Sequence, residues 1–225
     1  MATAPPATPA TYGLLGMLAV RPMTGYELTH QVRRSLRFFW ATSEGHLYRE
    51  QKKLVALGWA KATTEPVGRR TRQRYAITRA GRAALRRWLA TEPEEPHLQI
   101  EGILRAFYAD SGSPEALAAS MRATAASAQD MLAELHGYVA DYLADGGPLS
   151  MLEGTTTARE FRGREMFPER LHSVAVALDV ITTLLATVQT FFATTADEVE
   201  SWPGTADPSL IPATRKRLEQ IHLRV

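Results

Sequence analysis

The sequence predicts a mainly α protein with one small β-hairpin, in which a compact basic unit precedes a unit of long helices. Three observations carry this. A helix with one cationic face, over about Glu44–Leu57, is followed directly by a hairpin rich in arginine. In the second half, two long apolar seams recur at steps of three and four, the period of helices that pack along their length. The charge is also divided: residues 1–95 hold 16 Lys and Arg against 7 Asp and Glu, and residues 96–225 hold 10 against 17, within a net charge of +2. A basic first half and an acidic remainder predict that only the first half meets a polyanion.

Residues 1–10, MATAPPATPA, lack the positive start and apolar core of a signal peptide and read as a disordered tail. The apolar stretch Thr11–Val20 predicts a buried first helix, broken by Arg21-Pro22-Met23. Thr24-Gly25-Tyr26-Glu27 has the spacing of a capping box, in which the threonine hydroxyl and the glutamate each satisfy a free backbone N–H. Tyr26, Val32 and Leu36 mark the helix that follows, to about Arg37, and the aromatic link 38–42 is expected to pack inward. Ser43 caps the next helix, and Gly58 stops it. At 100° per residue, Leu47, Leu54 and Leu57 share its core face, with Gly45, Arg49 and Lys52 opposite and His46 and Lys53 at the flanks.

Two strand-like runs, Trp59–Thr64 and Arg72–Thr78, are joined by Glu65–Thr71, where Pro66 and Gly68 signal the turn. Thr78 caps a helix carrying Leu85, Trp88 and Leu89. A helix followed by a basic hairpin is the outline of a winged helix-turn-helix, whose helix enters the major groove of DNA while the wing touches backbone or minor groove. On that outline Arg49 and Lys52 reach base edges, beside Gly45. His46 and Lys53 serve bases or phosphates, and Ser43, Tyr48, Arg69, Arg70, Arg72 and Arg74 serve phosphates.

The same residues resemble the PadR family of transcriptional regulators: Thr24-Gly25-Tyr26-Glu27-Leu28, Phe39-Trp40 leading to Ser43, Leu47-Tyr48-Arg49-Glu50, and Leu54 to Gly58. Arg74-Tyr75-Ala76-Ile77-Thr78, Gly81, Leu85 and Trp88-Leu89 extend the likeness over residues 11–90, taken as the DNA-binding domain. Gln51 departs from the family's usual leucine, and Trp59 is bulkier than the usual aliphatic residue. The resemblance implies a cytoplasmic repressor that acts as a homodimer and is released by a small-molecule effector.

After the acidic hinge Thr91–Pro96, residues 97–225 read as a helical dimerisation domain with a possible effector site. His97–Asp110 predicts a short helix, and Ser113-Pro114 starts a long one with Met121, Ala125, Ala128, Leu132, Leu135, Val139 and Tyr142 as its seam. A second long helix, about Pro168–Ala196, carries Leu171, Val174, Leu178, Ile181, Leu185, Val188 and Phe192. A further stripe of Val180, Leu184 and Phe191 lies beside that seam and calls for a second copy of the chain. Gly146–Met166 reads as a long loop and Pro212–Arg224 as a terminal helix. Phe107, Tyr138, Tyr142, Phe191 and Phe192 are the candidate effector-binding aromatics. No run matches a membrane span in this reading, so no membrane partner is expected.

Zero cysteines exclude disulfides, thiolate metal sites and cysteine nucleophiles. The six histidines (His30, His46, His97, His136, His172 and His222) form no metal-binding pair. Gly13 and Gly16 sit in an apolar helix rather than a phosphate loop, and Glu92, Glu94 and Glu95 have no neighbouring base or nucleophile. No enzyme activity, cofactor or metal is expected. The expected partner is double-stranded DNA with a pseudo-palindromic operator. The rival readings are a winged-helix module that binds protein and an architectural protein that binds DNA without sequence preference.

Overall fold

The computed structural model describes residues 6–40, 42–68, 70–157 and 167–224, with only the backbone given for Val67 and Arg70. The chain separates into two compact units, one of Met1–Glu95 with Gly163–Phe167 and one of Pro96–Arg162 with Pro168–Val225.

In the first unit α1 (Pro9–Val20) begins two residues earlier than expected, because Thr8 and Thr11 form a capping box around Pro9 at the first helical position. Residues 1–5 of the expected tail lie outside the described residues. The capping box of α2 (Gly25–Ser35) forms as predicted: Glu27 accepts from the Thr24 N–H at 2.7 Å, and Thr24 Oγ1 accepts from the Glu27 N–H at 3.2 Å. The side of α2 that packs inward carries Leu28, Thr29, Gln31 and Val32, so Tyr26 is not a core residue; it is 74% exposed. The aromatic link divides too, with Phe38 buried and Phe39 and Trp40 exposed. Ala41 lies outside the described residues.

Helix α3 (Glu44–Ala56) ends where expected, and Gly58 takes the left-handed conformation (φ 68°) that a side chain resists. The sheet is larger than the sequence suggested. Strands β2 (Ala60–Val67) and β3 (Arg70–Ile77) pair antiparallel from Ala60↔Ile77 to Val67↔Arg70, and β1 (Met23–Thr24) adds a third strand on the far side of β3. Glu65 and Pro66 are therefore strand residues rather than turn residues. Proline is tolerated because β2 is an edge strand, and Gly68 (φ 58°) makes the tight turn. Helix α4 (Arg79–Leu89) is capped by Thr78, whose Oγ1 accepts from the Gly81 N–H at 3.0 Å. The core joins Leu14, Leu15 and Leu18 of α1, Leu28 and Val32 of α2, and Leu47 and Leu54 of α3 with Met23, Tyr75 and Ala84. Beside it Tyr12 stacks on Trp88 (4.8 Å, 4°) and tilts against Trp59 (5.5 Å), which accounts for the bulky residue after Gly58.

In the second unit α5 (Glu101–Phe107) is shorter than expected and precedes α6 (Pro114–Leu143), with Ser113 Oγ accepting from the Ala116 N–H at 3.2 Å. A short α7 (Pro148–Leu152) interrupts the expected loop, of which residues 158–166 lie outside the described residues. Helix α8 (Leu171–Glu200) runs antiparallel-paired with α6 as its main neighbour, each 30 residues or about 45 Å long. Their core is Leu117, Ala118, Met121 and Ala125 against Phe192, Ala196 and Val199. Arg122 pins the two helices beside it, meeting Asp197 at 3.0 Å and Glu200 on the next turn. Helix α9 (Ile211–His222) closes the chain.

One expectation about α8 is corrected. Pro168–Glu200 is long and apolar enough to cross a membrane by length and composition. The hydroxyls of Thr182, Thr187 and Thr194 donate to the carbonyls of Leu178, Thr183 and Thr190 one turn back, at 2.8–2.9 Å, which removes much of their demand for water.

Candidate nucleic-acid interface

Helix α3 rests on a polar foundation. Leu47, Glu50, Gln51 and Leu54 occupy positions i, i+3, i+4 and i+7, the set that faces the core, and all four are buried. Glu50 is only 2% exposed, with its carboxylate accepting from the Thr11 hydroxyl of α1 and from Lys53 Nζ at 2.7 Å. Burial pulls its pKa upward, but the bonds from Lys53 and Thr11 outweigh that and hold it below the ordinary glutamate value. Gln51 Nε2 donates to the Gly25 carbonyl and to Thr29 Oγ1, each at 3.1 Å. A buried leucine here would leave that carbonyl without this donor, so the departure at Gln51 ties α3 to α2. Glu50 was not singled out from the sequence; the i+3, i+4 spacing from Leu47 was the signal that it faced inward.

The opposite face of α3 is open. Gly45, Tyr48, Arg49 and Lys52 are exposed, and among the described residues Arg49 and Lys52 make no ion pair. Ser43 acts as the cap, its Oγ accepting from the His46 N–H at 3.3 Å. Two of the expected contact residues point elsewhere. Lys53 is spent on Glu50 and on the Pro6 carbonyl (3.2 Å), and half-buried His46 sits 3.8 Å from the same carboxylate. The i+3 and i+4 geometry around a buried glutamate draws both towards α1. They support the helix rather than line its open face.

The wing also divides its arginines. Glu65 accepts from Arg74 Nε at 2.6 Å and from Arg72 Nε at 3.2 Å. The bond from Arg74, and then its charge with that of Arg72, keep the Glu65 carboxyl below its usual range. Arg74 further donates to the Pro22 carbonyl (3.2 Å) and lies 3.7 Å from Glu27, so it is an anchor between wing and α2 instead of a free phosphate contact. Among the described residues Arg72 pairs with Glu65 alone, and it is half exposed. Arg69 and the side chain of Arg70 lie outside the described residues.

The five aromatics expected around an effector do not form one pocket. Phe192 is buried among Met121 and Ala125. Phe191 meets it edge-on at 5.9 Å and faces outward. Phe107 is exposed and lies edge-on to Tyr108 at 5.2 Å. Tyr138 donates to Glu134 at 2.7 Å, and Tyr142 follows one turn later, about 25 Å along α6 from Ala125. A cleft of about 1100 Å³ in the same unit is lined by Trp202, Ile211, Leu218 and His222 and by none of the five.

Residues 14–87 match the transcriptional regulator PadR-like family. A probable transcriptional regulator of Mycobacterium tuberculosis is 36% identical over 86 residues, 38% of this chain and 45% of the relative, so the match spans less than half of that protein. The negative transcriptional regulator PadR of Bacillus subtilis is 26% identical over 141 residues, covering 62% of this chain and 78% of its own. Its crystal structure with operator DNA superposes with a TM-score of 0.63 at 18% identity, over 84% of this chain and 98% of that one. Its complex with p-coumaric acid superposes with a TM-score of 0.57 at 18% identity, over 85% and 98%.

Proposed function

We propose, from the PadR-like transcriptional regulator domain that residues 14–87 form, that this chain is a cytoplasmic, homodimeric, sequence-specific DNA-binding repressor released by a small-molecule effector. The observation that carries it is the open face of α3, where Arg49 and Lys52 stand unpaired among the described residues on a helix locked from behind by Glu50 and Gln51. A rigid helix with free donors on one side is what base readout needs, since sloppy donors discriminate poorly. Two copies joined through the exposed Val180–Leu184–Phe191 stripe would set two such helices about one duplex turn (~34 Å), or a multiple of it, apart on a pseudo-palindrome. One relative with the same fold, PadR of Bacillus subtilis, supports both the DNA partner and the effector: it is solved on operator DNA and with p-coumaric acid.

Footprinting the purified chain on the region upstream of its own gene tests the reading. A protected pseudo-palindrome is expected, with Arg49→Ala costing about 1–3 kcal/mol there and relaxing preference at one base pair. Equal losses on operator and random DNA remove Arg49 from the readout. Protection with no sequence preference favours the architectural alternative, and no protection favours the protein-binding one. Titrating phenolic acids such as p-coumaric acid against the protected complex tests release, and unchanged protection across the panel points to a constitutive binder.

A further inference from the structure

Between the recognition helix and the wing lies a groove of about 400 Å³ whose walls come from three elements: Tyr26 at the start of α2, Tyr48 and Gln51 of α3, and Arg72 and Tyr75 of β3. Most of this wall is occupied with the fold. Gln51 is bonded to Gly25 and Thr29, Tyr75 is in the core, and Glu27 caps α2. Three side chains are not. Tyr26 is 74% exposed, and its one ring contact among the described residues is with His30 (6.1 Å). Tyr48 is exposed, and among the described residues neither phenol hydroxyl has a hydrogen-bond partner. Arg72 holds a single exposed ion pair, a kind that contributes little to stability.

We propose that Tyr26, Tyr48 and Arg72 together clamp one phosphodiester of the DNA strand that runs between the α3 groove and the wing. The chemistry fits the site: two phenol donors and one guanidinium line the same concave surface, and all three are side chains that bind phosphate oxygens. The two acids nearby do not repel the strand, because each is already matched. Glu27 faces Arg21 at 3.6 Å as well as Arg74, and Glu65 keeps its shorter bond to Arg74 when Arg72 leaves it. The wing arginines thus differ in role. Arg74 stays with the carboxylates, and Arg72 changes partner on binding.

This rests on the DNA-binding reading above and adds a sequence-independent contact to it. The test measures affinity of the full chain for its footprinted operator and for a shuffled duplex of equal length, across a salt series. Tyr26→Phe and Tyr48→Phe are each expected to weaken both duplexes alike, by about threefold to tenfold, the net loss of one solvent-exposed hydrogen bond. Arg72→Ala is expected to weaken both by about tenfold and to lower the slope of log K against log salt by about one. Because the three act on one phosphate, Tyr26→Phe combined with Arg72→Ala should lose less than the product of the single losses. The clamp is overturned if the wild type binds while Tyr26→Phe and Arg72→Ala bind as it does. It is overturned also if the two losses multiply, or if Tyr26→Phe affects the operator alone. A wild type that binds no duplex removes the DNA-binding reading itself, and the clamp with it.

Discussion

Helices α3 and α8 are both amphipathic, yet they leave opposite faces bare. Helix α3 buries its apolar stripe and even two polar residues of it, and exposes Gly45, Arg49 and Lys52. Helix α8 sets Leu171, Ile181 and Phe192 inward and leaves Val176, Val180, Leu184 and Phe191 half exposed or more. The first pattern belongs to a domain closed by its own core, whose outward side is suited to a polar, anionic partner. The second belongs to a two-helix layer that has apolar surface left after pairing. The two units therefore differ in what completes them, and substitutions on each should fail in different ways.

The largest effect is expected at the foundation of α3. Glu50→Ala strips the acceptor from buried Thr11 and from Lys53, and breaking a buried ion pair from one side costs about 3–5 kcal/mol. Thermal unfolding should show the first unit melting far earlier. A Tm within a degree or two of the wild type would mean that Glu50 is not what seats α3 on α1. The pH dependence has a definite sign. Because the folded-state pKa of Glu50 is depressed, its contribution is present in full above the unfolded value of about 4.3 and is lost as pH falls through the folded one. Glu50→Gln should flatten that acid slope, and an unaltered slope would assign it to other carboxylates.

The next effect concerns α8. Val180→Glu with Leu184→Glu places two charges in the exposed stripe. If a second copy covers it, sedimentation should show the dimer weakened by about a hundredfold or more, since each buried side chain of this size is worth about 1.5–3 kcal/mol. The melting of the first unit should not move. An unchanged association constant would place the subunit contact elsewhere.

Much of this contrast is legible in the residues, and the misses have physical causes. Capping by Thr24, Ser43, Thr78 and Ser113 and the stop at Gly58 are local, decided within one helical turn, and all appear as expected. The α6 and α8 seams are periodic over seven positions each and survive intact in the pairing of the two helices. What local pattern does not show is a partner far along the chain. The spacing from Leu47 turns Glu50 inward, but its role as an acceptor shows only when Thr11, 39 residues earlier, is placed against it. Arg74 reads as a wing-tip cation until β1 brings Pro22 and Glu27 to its side. Tyr26 marks α2 in the sequence without showing its face; its exposure depends on which side of α2 meets α3, a tertiary outcome. The division of the interface into anchors and free donors is for the same reason a property of the folded unit.

The smallest predicted effect separates two adjacent lysines. Lys52 is exposed and without an ion pair among the described residues, whereas Lys53 is drawn inward to Glu50. Lys52→Ala should leave Tm unchanged and weaken operator and shuffled duplexes together, by about 1 kcal/mol, with a drop of about one in the salt slope if it meets a phosphate. If it meets a base edge, the loss falls on the operator alone. Lys53→Ala should do the reverse, lowering Tm because the buried carboxylate loses its charge partner while the salt slope stays as it was. Matching salt slopes and matching Tm shifts for the two variants would show that both lysines face the duplex, and that the inward pairing of Lys53 does not persist on DNA.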